Sequence, residues 1–134
     1  MEETNIERHE PVYEVTAICE APKESGMSLN EYQRKALETA IFPTDEKIGY
    51  LVIALCGEAG EVADKVKKVF RDKDGIFSEA DNKAIALELG DVLWYAANLA
   101  HAIGYKLSDI ASLNIDKIHS RMERGTLHGC GDTR

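Results

Sequence analysis

The sequence predicts an all-α protein of four helices packed as a bundle, and three observations predict it. Apolar residues recur at helical spacing, side-chain capping signals precede the periodic stretches, and glycines or a proline close them. The connections are only a few residues long, which makes consecutive helices antiparallel neighbours. At 134 residues the chain has room for one core and one main domain.

Residues 1–27 stand apart from the rest. Val12 to Cys19 is β-branched and partly alternating, so it reads as one short strand or an extended arm, and Pro22 to Gly26 reads as a break. Ser28 to Glu31 has capping-box spacing and opens a first helix that runs to about Ala40 and stops near Pro43. Thr44 suits the N-cap of a long second helix reaching about Phe70, with Ile48, Leu51, Val52, Leu55, Val62, Val66 and Val69 at helical spacing. Arg71 to Gly75 is a charged turn. Ser78 and Asp81 form a second capping box, and the third helix they open ends at Gly104, a natural C′ glycine. Ser108 suits the cap of a fourth helix that ends at Gly125. Residues 126–134 form a glycine-rich tail, suited either to closing over a ligand or to a loose end. The organisation is therefore an N-terminal extension (1–27), a helical domain (28–125) and a C-terminal tail (126–134). The third helix is apolar on all sides, so a dimer, or a larger assembly of dimers, is expected to cover it.

Composition removes several classes of function. A formal charge of −8 repels a nucleic-acid backbone, while a metal ion would still allow a small anionic ligand. No apolar run approaches the roughly 20 residues of a membrane helix, and the acidic start Met1 to Glu10 does not resemble a targeting segment. Cys19, Cys56 and Cys130 are odd in number and lack C-x-x-C spacing, which fits a reducing cytoplasm without disulfides or zinc.

Four acids break the apolar pattern. Between Ile48 and Ala63 the only charged residues are Glu58 and Glu61, and between Ala84 and Ala100 the only ones are Glu88 and Asp91. Each pair is spaced i, i+3, so its carboxylates leave one helix face about one turn apart. Such acids, desolvated among Leu, Val, Ala and Gly, must protonate, be heavily hydrogen-bonded or find a cation. No lysine or arginine lies within either apolar stretch. If the two helices are antiparallel neighbours, the four carboxylates converge, and Mg2+ or Mn2+ suits their hard oxygen donors. A carboxylate-bridged iron centre would need Glu-x-x-His on its helices, which His9, His101, His119 and His128 do not supply. The plainer alternative is that the acids simply face water. Gly57, Gly60 and Gly90, set among the acids, suit close approach of a helix, a hydrated metal or a substrate.

Two further stripes bear on a phosphorylated ligand. Tyr95 and Asn98 continue the line of Glu88 and Asp91, at a position suited either to substrate contact or to a helix interface. Trp94 lies off that line and reads as core. On the fourth helix, Asn114, Lys117, Arg121 and Arg124 form a basic face in an acidic protein. It suits a phosphate clamp, with arginine as a bidentate fork, and equally suits compensation of the helix dipole on a solvated face.

With these residues in place, the chain resembles the MazG-like all-α nucleoside triphosphate pyrophosphohydrolases over about residues 28–134. The resemblance rests on Glu58-Ala-Gly-Glu61 and Glu88-Leu-Gly-Asp91 as an E-x-x-E, spacer, E-x-x-D pattern. Its contexts are Cys56 to Ala63, Leu87 to Tyr95, Asn114 to Lys117 and Arg121 to Gly125. It implies a four-helix core, magnesium held by the four acids, hydrolysis between the α- and β-phosphates, and dimers or dimers of dimers with sites near the interface. Tyr95 and Lys117 match nucleotide-contacting positions of the family, and Gln33 resembles the stretch that lines the base pocket. The expected reaction is metal-assisted conversion of a (d)NTP and water into (d)NMP and pyrophosphate, clearing unwanted nucleotides from the pool, with Glu58 or Glu61 as base and Lys117 and Arg121 at the departing pyrophosphate. The competing reading is a non-catalytic helical module whose acids bind a basic partner, with salt-sensitive and magnesium-independent affinity.

Overall fold

The computed structural model describes residues 26–43 and 45–126. Among them the order is α1 (Leu29–Glu38), α2 (Lys47–Asp72), α3 (Glu79–Ala102) and α4 (Leu107–Glu123), with no strand. The strand or arm expected at 12–19, the expected cap Thr44 and the tail beyond Thr126 lie outside the described residues.

Local chemistry accounts for most helix ends. The Ser28 hydroxyl accepts from the Glu31 N–H at 3.2 Å, but only half of the expected capping box forms, because the Glu31 carboxylate pairs with Lys35 at 3.0 Å instead. At α3 the box is complete: Ser78 Oγ accepts from the Asp81 N–H at 3.3 Å and Asp81 Oδ2 accepts from the Ser78 N–H at 3.0 Å. Lys73 Nζ reaches the same Asp81 carboxylate at 2.6 Å and so closes the α2–α3 hairpin. Within that turn Gly75 has φ +77°, which favours glycine, and a Cβ there would also press on the Phe70 ring at 3.2 Å. Gly104 ends α3 as expected, at φ 83°, with the Tyr105 N–H returning to the Ala100 carbonyl at 2.8 Å.

Two helix starts differ from the sequence expectation. The N-cap of α2 is Glu46, which makes no side-chain capping bond. That of α4 is Lys106, so Ser108 lies inside the helix rather than capping it. The reason is tertiary. The first N–H groups of α4 are satisfied by α1, with Leu107 N–H donating to Gln33 Oε1 at 3.0 Å and Ser108 N–H to Asn30 Oδ1 at 3.2 Å.

Packing is uneven. The antiparallel α2–α3 hairpin is the dominant pairing, α1 lies on α3, and α2 makes no helix packing contact with α1 or α4. A small core of Ala36, Ala97, Ala100 and Leu107, flanked by Tyr32, Trp94 and Ile110, joins α1, α3 and the first turn of α4. Beyond that turn residues 112–119 are exposed, and burial returns partly at Ser120 and Arg121. The four helices of the expected bundle are present, with α4 joined to α1 and α3; the one consecutive pair that does not pack is α1 with α2. Large apolar side chains remain at the surface, including Ile53, Leu87 and Leu89 on the hairpin and Leu113, Ile115 and Met122 on α4. No helix among the described residues is long and apolar enough to cross a membrane.

Candidate metal centre

Antiparallel pairing brings the two acidic i, i+3 pairs to one level of the hairpin. Glu58 on α2 and Glu88 on α3 are half-buried, Asp91 is exposed, and each offers a carboxylate oxygen such that the three lie within 4.8 Å of one another. That spread is about twice the roughly 2.1–2.4 Å bond of a hard divalent cation to oxygen, so one ion could join all three after slight closure. Glu61 lies outside this group and is exposed. It is still near enough to act on Glu58, whose carboxyl is pushed up by partial burial first and then by the charges of Glu61, Asp91 and Glu88. A carboxyl pushed up by neighbouring carboxylates, as Glu58 is, marks a site short of positive charge. All the donors are hard oxygens, so the residues present fit Mg2+ or Mn2+.

One cation already reaches the cluster, and sequence reading missed it. Lys65 Nζ lies 3.1 Å from Glu88 Oε1. Lys65 falls just past the apolar stretch searched for charges. The readable signal was its i, i+4 relation to Glu61, whose charge also acts on it.

Aromatic residues border the acids. Tyr95 has its phenol pushed up by burial first, then by a hydrogen bond with Tyr50 and by the charges of Glu58 and Asp91. The Trp94 and Tyr95 rings meet edge-on at 4.8 Å, and Phe42 bridges Tyr50 at 6.0 Å and Trp94 at 6.4 Å. Trp94 also donates to Thr39 Oγ1 at 2.9 Å, which anchors it beside the core as expected. From α1, Tyr32 donates to the Gly90 carbonyl at 3.4 Å and has its phenol pushed up by burial and by Asp91. Tyr32 and Tyr50 went unremarked in the sequence because Tyr32 lies on another helix and Tyr50 about three turns before Glu61 on α2.

The remaining sequence candidates are placed elsewhere. Gln33 is buried between helices. Its amide nitrogen donates to the Ala97 carbonyl at 3.2 Å and the Tyr105 carbonyl at 3.0 Å, while its oxygen takes the Leu107 N–H. Asn98 is 0% exposed, its Nδ2 donates to the Trp94 carbonyl at 2.9 Å, and its Oδ1 finds no partner among the described residues. Lys117 and Asn114 line a separate groove of about 670 Å3 with Ile103, Tyr105, Ile110 and Leu113, and none of the four acids borders it. Arg121 lies on the same helix and Arg124 is its C-cap, and that helix does not pack on α2. Gly57, Gly60 and Gly90 do not serve tight packing among the described residues, since an added Cβ at each meets nothing there within 4 Å.

Residues 48–126 match the model of the MazG nucleotide pyrophosphohydrolase domain. The chain belongs to this family. The matched MazG segment holds the four acids, Lys65, Tyr95, Asn98, Lys117, Arg121 and Arg124, and leaves α1 with Tyr32 and Gln33 outside it. The "Gene 37 protein" of Mycobacterium phage L5 is 42% identical over 114 residues, a match covering 81% of this chain and 100% of that one. No solved structure matches the chain.

Proposed function

We propose that this MazG-family chain is a magnesium-dependent nucleoside triphosphate pyrophosphohydrolase, converting a (d)NTP and water into (d)NMP and pyrophosphate in the cytoplasmic nucleotide pool. The observation that carries the reading is the convergence of Glu58, Glu88 and Asp91 from two apolar helices onto one point. These three, with Glu61 alongside, would hold Mg2+, or Mn2+ in its place. When bound, the ion supplies charge neutralisation for the phosphates and acidifies a coordinated water.

The chain's own residues supply the rest. Glu61, outside the three-acid group, orients the attacking water and takes its proton, with Glu58 as the other candidate base. The water oxygen forms a bond to the α-phosphorus while the bond to the bridging oxygen breaks, and the pyrophosphate departs. Tyr95, beside Glu58 and Asp91, contacts the nucleotide. Gln33 and Asn98, both buried, support it by fixing α3 and the start of α4. Lys117, Arg121 and Arg124 hold the departing pyrophosphate. None of the four acids borders the groove that Lys117 lines, which supports these cations meeting the acids in a dimer or a dimer of dimers. The exposed apolar side chains of the hairpin and of α4 support such an assembly.

The test is product analysis on the eight common ribo- and deoxyribonucleoside triphosphates and dUTP, with and without Mg2+. Monophosphate and pyrophosphate, lost on chelation, are the expected products. Orthophosphate with a nucleoside diphosphate would exclude cleavage at the α–β bond.

A further inference from the structure

The reaction as described leaves one cation at the acids without a role. Lys65 Nζ stands 3.1 Å from Glu88 Oε1, with the two side chains 38% and 15% exposed respectively. Glu88 belongs to the three-acid group, and Glu61, one turn before Lys65 on α2, draws on the same ammonium. Lys65 thus sits where a divalent ion must exert its field, and it bonds to one of the carboxylates such an ion needs.

Two positive centres do not share that carboxylate comfortably, because their repulsion in a half-buried setting exceeds its value in water. Lysine is suited to giving way. Its compact charge sits on a flexible stem and makes a single contact, without the bidentate grip of arginine, and a partly exposed ion pair is weak enough to exchange. Without metal, the same ammonium relieves the crowding of the carboxylates and keeps the two helices in register. Resting on the metal-centre reading above, we propose that Lys65 is an internal counter-ion of the metal-free site, a positioning residue that releases Glu88 when a divalent cation binds and so sets the affinity of the site for metal.

The experiment is a titration of Mn2+ into the full-length protein without nucleotide, with free Mn2+ read by electron paramagnetic resonance. Lys65→Met is compared with the parent and with Lys68→Met, whose lysine pairs with Asp64 at 2.6 Å rather than with the cluster. Lys65→Met is expected to bind Mn2+ about 3- to 10-fold more tightly, the size of a lost competing charge at a partly screened site, with Lys68→Met at the parent value. A parent protein that binds no Mn2+ overturns the metal centre and the role of Lys65 together. Parent binding with equal or weaker binding by Lys65→Met overturns the role of Lys65 alone. Should Lys65→Met fail to fold, the parent decides by itself. Acetylation of Lys65 relative to Lys68, followed by mass spectrometry, is expected to quicken on adding Mn2+, and an unchanged or slower rate overturns the proposal.

Discussion

The α2–α3 hairpin and α4 are built on opposite plans. The hairpin is self-contained: the complete capping box at Ser78, the Lys73–Asp81 bridge and the glycine turn fix its register, and that register brings the acids together. By contrast, α4 is held by its first turn, borrows its N-terminal hydrogen bonds from α1, and exposes its middle to solvent. The acidic half of the proposed site is thus a product of local chemistry plus one antiparallel pairing. The basic half depends on contacts from outside its own helix.

Four experiments probe that contrast. The largest effect is expected at the hairpin: Asp91→Asn should lower pyrophosphate release by roughly 100- to 1,000-fold, the scale of losing one electrostatic partner of a reacting centre, while circular dichroism stays helical. Parent-like turnover would break the assignment. Next, Gln33→Ala removes two buried hydrogen bonds and one part-buried one and should destabilise the fold by about 2–4 kcal/mol in urea unfolding. Amide exchange at the start of α4 should rise, and hairpin amides should lag behind. Equal exchange in both regions would show that they do not differ as described. A smaller change is expected from Lys117→Ala, about a 10- to 100-fold loss of kcat/KM, the value of a charge-assisted hydrogen bond, with little shift in melting temperature at this exposed position.

The smallest effect is in acid. Lys73, then Ser78, hold the Asp81 carboxyl down at about 2, below its ordinary 3.8. Its contribution is therefore complete above the ordinary value and fades as pH falls from about 4 towards 2. The gap in melting temperature between the parent and Asp81→Ala should be constant near neutrality and close across that window. A gap that persists at pH 2 would remove the bridge from the hairpin's stabilisation.

How much of this was legible in the sequence follows the same division. Helix ends set by their own neighbours could be read directly: Ser28, Ser78 and Gly104 stand where their residue types indicate. The meeting of Glu58 with Glu88 and Asp91 was readable because i, i+3 spacing and a short turn leave few alternatives. Features set by distant chain were not. Ser108 carried a valid capping signal, but Gln33 and Asn30 took over that task from α1. Lys65 lies just past the apolar stretch, and although its spacing from Glu61 was readable, its bond to Glu88 on another helix was not. The resemblance places Gln33 with the stretch that lines a base pocket, and only the fold shows the three backbone groups that engage it.

That last residue has a practical consequence. Gln33 clasps α3 and the joint leading to α4 at once, yet it lies ahead of the segment that defines the family. A fragment trimmed to that segment would retain every carboxylate while unhooking the arm that carries the cations. The opening helix is therefore the bracket that aims one half of the molecule, and domain boundaries drawn from the matched span alone would discard it.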